Sequence, residues 1–394
     1  MLKLFMVGKL FLVKVIERAG ERHMKLRAGD WVEVKSKEEI LRTLDKEGQL
    51  ERMPFMPQMF QHCGQRLKVY KRAHKTCDTV NPIRALRVHN AVHLDLRCDG
   101  EAYGGCQAAC LIFWKTAWLK PITEIGGNAK PSSRNGQDEI GQSGSCKESD
   151  LWAGTRILDQ TNSSEPRYVC QATQVPHFGT FLSWWDFRQY LEDYTSGNET
   201  FGQLLRGLIY ASYASVAQAG IGLGPPLRWL YDKFQYLWGG LPYPRKSGTI
   251  PIGQSTPTSI LDLQPGELVR VKPHKEILAT LDMNDRNRGL MFDGEMMPYC
   301  GNTYRVKTRL YKFIDEKTGK LSVTKNPGII LEGAWCRARY SSCRMSCPRS
   351  IYPWWRETWL ERVSRTVDSV TEVGNGTVVS SHGKGREGSM PPQA

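Results

Sequence analysis

The feature that most constrains this chain is an internal repeat. Residues 29–34 (GDWVEV) are matched by residues 266–271 (GELVRV), an offset of 237 residues from Gly29 to Gly266. The same offset aligns Cys63-Gly64 with Cys300-Gly301 and continues through the last cysteines of each copy. Because so many matches share one register, we interpret residues 26–121 and 263–363 as two copies of one module.

Each copy opens with alternating apolar residues, which is typical of a half-buried β-strand. Val32 and Val34 would point to one face of this strand, as would their counterparts Val269 and Val271. Residues 39–44 (EILRTL) have helical spacing. A second strand, with basic residues on one face, is predicted at residues 65–72 (QRLKVYKR) and at residues 303–312 (TYRVKTRLYK).

The Gly-acidic-x-Val-x-Val opening, the long loop, the Cys-Gly turn and the basic strand together resemble the small barrels of the Src-homology-3 type. Short alternating strands bounded by turn residues also favour a barrel. We therefore expect an α+β fold, in which two duplicated small β-barrel (SH3-like) modules are joined by a helical middle segment. The tryptophans near the end of each copy are expected in the core of a terminal helix, namely Trp114, Trp118, Trp354, Trp355 and Trp359.

Composition divides the rest of the chain. Residues 1–25 are interpreted as a leader or extended start, since Lys9 and Lys14 interrupt the apolar run and no small-residue cleavage site follows. Residues 122–165 are rich in Gly, Ser and Asn and are predicted to be a flexible loop, and 241–262 a linker. Helices are expected within residues 166–240, with a break at residues 222–226 (GLGPP). The tail 364–394 is expected to be disordered.

The charge balance indicates an anionic partner. Lys and Arg number 54 and Asp and Glu 40, a net charge of +14, which favours nucleic acid, a phospholipid surface or an acidic protein. The basic strands, whose aromatics Tyr70 and Tyr311 could stack on bases, are the predicted contacts. The candidate residues are Arg66, Lys68 and Arg72 in the first copy and Arg305, Lys307 and Arg309 in the second.

The eleven cysteines suggest a metal site for two reasons. We recognise no secretory signal that would direct the chain to a compartment where disulfides form, and the number of cysteines is odd. Thiolates are the standard ligands of zinc and of iron–sulfur clusters. The spacing of these residues matches no diagnostic metal motif. The candidate ligands are Cys98, Cys106 and Cys110 with Cys77 or Cys170 as the fourth, and in the second copy Cys336, Cys343 and Cys347 with Cys300 as a possible fourth.

Most of residues 26–363 also resembles a group of uncharacterised bacterial proteins. The shared features are Lys75-Thr76-Cys77-Asp78, Arg97-Cys98-Asp99-Gly100, residues 106–114, Tyr168-Val169-Cys170-Gln171 and Cys347-Pro348-Arg349. The resemblance implies a bacterial origin and brings no activity with it.

These observations favour a non-enzymatic, cytoplasmic interaction protein with a cysteine-bound metal, zinc first, and basic faces for an anionic partner. No phosphate-binding glycine loop, nucleophile elbow or paired carboxylates indicate catalysis. The alternative is an iron–sulfur redox protein or oxidoreductase. No run of about twenty apolar residues predicts a membrane-spanning helix. Residues 201–223 carry an apolar stripe that would either pack on a barrel or contact a membrane surface.

Overall fold

The computed structural model describes residues 25–81, 84–122, 146–157, 166–220, 222–244, 247–341 and 344–363. The chain forms two compact units that do not follow the sequence halves. The first unit comprises Met1–Arg97 and Leu111–Glu199, and the second comprises Cys98–Cys110 and Thr200–Ala394. The segment Cys98–Cys110, which was assigned to the first copy, therefore belongs to the second unit.

The first unit is built from short elements. Its described helices are α1 (Lys37–Leu41), α2 (Glu148–Gly154), α3 (Gln171–Phe178) and α4 (Arg188–Thr195), with 3₁₀ helices at Pro57–His62 and Thr116–Trp118. Its strands are β1 (Trp31–Val34), β2 (Gln49–Leu50), β3 (Met53–Pro54), β4 (Arg66–Lys68), β5 (Lys71–Arg72), β6 (Lys75–Asp78), β7 (Arg84–Arg87), β8 (Ala91–His93), β9 (Trp114–Lys115), β10 (Leu119–Pro121), β11 (Arg156–Ile157), β12 (Arg167–Tyr168) and β13 (Thr180–Leu182). They pair in the orders β10-β1-β4, β5-β8-β9, β13-β7-β6, β2-β3 and β11-β12.

The second unit has longer elements. Its described helices are α5 (Phe201–Ala217), α6 (Gly224–Leu237) and α7 (His274–Leu278), with 3₁₀ helices at Glu101–Tyr103, Gly294–Tyr299 and Glu357–Trp359. Its strands are β14 (Leu268–Val271), β15 (Arg286–Asn287), β16 (Leu290–Met291), β17 (Thr303–Ile314), β18 (Leu321–Leu331) and β19 (Leu360–Arg362). They pair in the orders β18-β17-β14-β19 and β15-β16.

Several elements recur at the offset of the sequence repeat. Trp31 pairs with Lys68 between β1 and β4, and Leu268 pairs with Arg305 between β14 and β17, 237 positions further along. Helix α1 corresponds in the same way to α7, and the 3₁₀ helix Pro57–His62 to Gly294–Tyr299. All four opening valines are buried, as the alternation predicted.

The sheets are open, and no closed barrel is present in the part of the chain that the structure describes. Closing a barrel requires both edges of a sheet to find a partner. In the first unit the predicted strand at 65–72 instead divides, because β4 pairs with β1 whereas β5 pairs with β8. The prediction of a mixed α and β architecture is confirmed, whereas the barrel form is not.

The cores are centred on the repeated tryptophans. Trp114, Trp118, Trp355 and Trp359 are fully buried. The Nε1 of Trp118 donates to Thr43 Oγ1 at 3.1 Å, and that of Trp359 donates to Thr280 Oγ1 at 2.9 Å. These side chains do not lie on a terminal helix as expected. They belong to short strands, bridges and 3₁₀ turns.

The predicted linkers contain ordered structure where they are described. Residues 146–157, part of the expected flexible loop, include α2 and β11. Tyr243, in the expected linker, is fully buried. The expected helices and the break between them are present as α5 and α6. Residues 1–24 of the expected leader or extended start (1–25) and the whole of the expected tail (364–394) lie outside the described residues.

None of the helices in the described ranges combines the length and the apolar character needed to cross a bilayer.

Candidate anion-binding surface and cysteine segments

Both cysteine triplets contribute to the second unit. Cys98, Cys106 and Cys110 lie in its short segment, and Cys336 and Cys347 in its carboxyl-terminal part. Cys343 lies outside the described residues. The proposed additional ligands Cys77 and Cys170 belong to the first unit, where both are buried.

The segment Cys98–Cys110 is anchored to β17 at its irregular point. The register of β17 against β18 shifts between Leu310 and Lys312. Gln107 Oε1 accepts hydrogen bonds from the backbone N–H groups of Tyr311 and Lys312, at 2.7 and 2.9 Å. Cys106 Sγ accepts from the N–H of Ile314 at 3.4 Å. One predicted metal ligand therefore serves here as a hydrogen-bond acceptor.

A close backbone approach explains a glycine beside these cysteines. Gly100 has a φ of +78°, and a Cβ added there would lie 1.9 Å from the carbonyl oxygen of Cys106. Only glycine can adopt this left-handed conformation and leave room for that oxygen. Ala109 packs against the buried cluster of Leu310, Ile330 and Tyr352.

The grouping of the candidate metal ligands can be examined only within the part of the chain that the structure describes. No group of three or more His, Cys, Asp or Glu side chains within the described ranges is placed to hold a metal ion. None of the ten described cysteines forms a disulfide. The convergence of Cys98, Cys106 and Cys110 on one metal therefore stays a prediction.

Two cysteines of the repeated Cys-Gly turns occupy similar surroundings. Cys63 and Cys300 are both partly buried and follow equivalent 3₁₀ helices. Burial raises the pKa of both thiols, and that of Cys300 to about 12. Raised values disfavour the thiolate that metal binding and nucleophilic chemistry require, which favours a structural role for these two thiols.

The predicted cations of the first unit are only partly available to a ligand. Arg66 and Lys68 are exposed on β4, and Arg66 Nε lies 3.4 Å from Glu33. Arg72 is half-buried, and its backbone exchanges two hydrogen bonds of 2.8 Å with the Asn198 amide. Lys68 is thus the first unit's clearest candidate.

The predicted cations of the second unit divide more sharply. Arg305 and Lys307 are exposed on β17. The Arg309 side chain is only 12% exposed and lies 2.5 Å from Asp262 and 3.5 Å from Glu357. Because two carboxylates contact it, Arg309 is engaged in ion pairs and is less available to an anion than Arg305 and Lys307 are. The sequence could not show this, since Asp262 and Glu357 are distant in the chain.

The structure adds cations that the sequence reasoning missed. β17 and β18 form a long antiparallel ribbon, which we call the basic hairpin (residues 303–331). Besides Arg305 and Lys307, its exposed cations are Lys312, Lys317 and Lys325. Of its two acids, Glu316 is paired with Arg349 at 2.8 Å and Asp315 accepts hydrogen bonds from Thr318. The charge run was visible in the sequence, but its exposure on one ribbon was not.

A buried polar cluster in the first unit was also not predicted. Lys75 Nζ lies 2.6 Å from Asp193 Oδ2, and His74 Nε2 lies 3.2 Å from Asp193 Oδ1. All three residues are almost completely buried. The cluster joins β6 to α4, and removing one partner would leave an uncompensated buried charge.

Comparison with known proteins found neither a matching family model nor a matching curated sequence.

Proposed function

We propose that this protein is a non-enzymatic interaction protein and that its basic hairpin binds an anionic polymer, with nucleic acid as the first candidate. The observation that supports the proposal is the exposure of five cations on one ribbon that has two acids, of which Glu316 is paired with Arg349 outside the ribbon and Asp315 accepts hydrogen bonds from Thr318 in the turn.

The chemistry of the basic hairpin suits phosphate contacts. Lysine and arginine that neutralise phosphates release counterions, which supplies affinity without sequence specificity. The Tyr311 side chain is 41% exposed. The guanidinium carbon of Arg309 lies 5.5 Å from the centroid of the Tyr311 ring. An exposed aromatic ring among cations offers a stacking surface for an unpaired base.

We also propose that the two repeated segments derive from one module of the small-barrel type. The support is the equivalent pairing of Lys68 with Trp31 and of Arg305 with Leu268. Each pair sets a cation opposite an exposed apolar side chain on the outer face of its sheet. Lys68 would then be a secondary contact for the same class of partner.

The test is the salt dependence of binding to a duplex DNA and to a single-stranded oligonucleotide. The double variant Lys307→Ala, Lys325→Ala should bind more weakly, and the slope of log affinity against log salt should flatten by about 1.8 for duplex DNA, since each contact contributes about 0.9. Lys275→Ala, Arg286→Ala removes the same charge from exposed positions of the second unit and should leave the slope unchanged. Absence of binding at low salt would exclude the proposal.

A cysteine-bound metal is a second candidate, favoured by the presence of both triplets in the second unit. Zinc would act as a structural ion that stabilises the fold. Metal analysis and a visible spectrum of anaerobically purified protein separate zinc from an iron–sulfur cluster, whose sulfide-to-iron absorption is coloured. A pure protein that contains no metal would exclude both the zinc site and the iron–sulfur cluster.

A further inference from the structure

Helix α6 exposes its apolar face and turns its polar face inward. The side chains of Trp229, Leu230, Phe234 and Leu237 are each more than half exposed, and their spacing sets them on one side of the helix. A surface helix of a water-soluble domain normally shows the opposite arrangement, with its apolar stripe toward the core.

The inward face of α6 carries the polar contacts. Asp232 Oδ1 accepts a hydrogen bond from the backbone N–H of Tyr243 at 2.7 Å, and the Arg228 guanidinium lies 5.5 Å from the Tyr243 ring centroid. Tyr231 meets Tyr243 edge to face at 5.5 Å. These contacts fix the rotation of the helix, so that its apolar side chains face outward.

Helix α5 also exposes apolar side chains. Phe201, Leu205, Ile209 and Val216 are exposed along it. Between α5 and α6 lies an open, mainly apolar groove of about 500 Å³, bounded by Leu208, Ile209, Ser212, Tyr213, Val216 and Leu227. We call α5 and α6 together the helical pair.

The charges of the helical pair favour an anionic surface. The exposed charged side chains on the two helices are Arg206 and Lys233, both cationic, whereas the acidic Asp232 is turned inward. Lys233 Nζ lies 5.9 Å from the Trp229 ring centroid. Tryptophan and tyrosine with a neighbouring lysine are typical of the bilayer interface, where the rings sit among headgroups and the ammonium reaches the phosphates.

We propose that the helical pair docks in the interface of an anionic phospholipid bilayer, with both helices lying in the plane of the membrane. At 17 and 14 residues the helices would bury one face among the acyl chains without crossing. The net charge of +14 adds long-range attraction to anionic headgroups. This surface is separate from the basic hairpin, so either proposal can fail alone.

The experiment is flotation of the full chain with vesicles of phosphatidylglycerol and phosphatidylcholine, together with its tryptophan emission. The wild type should float with these vesicles, shift its emission to shorter wavelength and bind pure phosphatidylcholine more weakly. Leu230→Ser, Phe234→Ser, Leu237→Ser should lower the vesicle affinity by about a hundredfold or more, because three inserted side chains are lost.

The matched control is Ile252→Ser, Ile260→Ser, Met283→Ser, which changes three exposed apolar residues of the second unit outside the helical pair. It should float as the wild type does, and circular dichroism should show that both variants fold. Failure of the wild type to float, or equal binding by the triple variant, would overturn the proposal. So would a dimer that the triple variant abolishes, since a second copy of the chain would then occupy this face.

Discussion

Cys300 shows how strongly one position in this fold can control a side chain's chemistry. Its thiol follows the turn Gly294–Tyr299, and its Sγ lies 4.0 Å from the carbonyl oxygen of Met296. Burial raises its pKa from 9.0 to about 12. A thiol held in its neutral form behaves as a small apolar side chain.

The reactivity of Cys300 should therefore be suppressed in the folded protein. Near pH 8 its thiolate fraction should be about a thousandfold lower than for a thiol with the ordinary value. Iodoacetamide labelling followed by peptide mass analysis should find Cys300 modified only after denaturation. Rapid labelling of the native protein at this position would contradict the burial.

The same shift predicts a direction for stability against pH. Since the folded pKa is above the unfolded one, the folded state retains a proton that the unfolded state has lost. The contribution of Cys300 is complete below about pH 9, the unfolded value, and is lost as pH rises toward 12. In the Cys300→Ala variant, the free energy of unfolding should fall less steeply with rising pH in the alkaline range than in the wild type. A variant whose stability falls as steeply as that of the wild type would argue against this linkage.

At the scale of elements, the sequence pattern predicted correctly those strands and helices that depend mainly on neighbouring residues. The alternating valines gave the opening strands, and the proline-glycine break separated α5 from α6. The long strand β17 is unbroken, whereas its counterpart in the first copy divides among β4, β5 and β6. That difference arises from pairing with strands far away in the sequence, which periodicity does not report. The neutralisation of Arg309 and the inward polar face of α6 were hidden for the same reason.

One pair of equivalent contacts links elements across the repeat and can be tested in both units. Thr43 Oγ1 donates to the carbonyl oxygen of Ile40 and accepts from the Trp118 indole. Thr280 makes the matching bonds to Ile277 and Trp359. Each threonine hydroxyl thus links the end of its short helix to the indole N–H of a buried tryptophan.

Thr43→Val and Thr280→Val should each lower the free energy of unfolding by about 1–3 kcal/mol, because each leaves a buried indole N–H without its acceptor. Denaturant unfolding measures the loss, and the indole N–H resonance of the affected tryptophan should move. Serine at either position keeps the hydroxyl and should retain most of the stability. Two valine variants as stable as the parent would show that these bonds do not hold the cores.

At the scale of the whole molecule, the boundaries of the two compact units differ from the boundaries of the two sequence copies. The first unit is interrupted at Cys98–Cys110, which belongs to the second unit. Gln107 makes the decisive contacts, because its side chain accepts from Tyr311 and Lys312 and its own N–H donates to the Lys312 carbonyl at 2.9 Å. These bonds lie at the register shift of β17, which falls between Leu310 and Lys312 and leaves Tyr311 outside the pairing with β18.

Gln107→Ala should therefore weaken a strand that lies about two hundred residues further along the chain. Two backbone N–H groups lose an acceptor worth about 1 kcal/mol each, so amide exchange at Tyr311 and Lys312 should accelerate by roughly tenfold or more. Exchange in β6 and β7 of the first unit should stay unchanged. Gln107→Glu retains a side-chain oxygen acceptor and should preserve the protection of both amides, which separates loss of the hydrogen bonds from a general loosening of the segment. Wild-type exchange in the alanine variant would mean that Cys98–Cys110 is not held to the second unit through this residue.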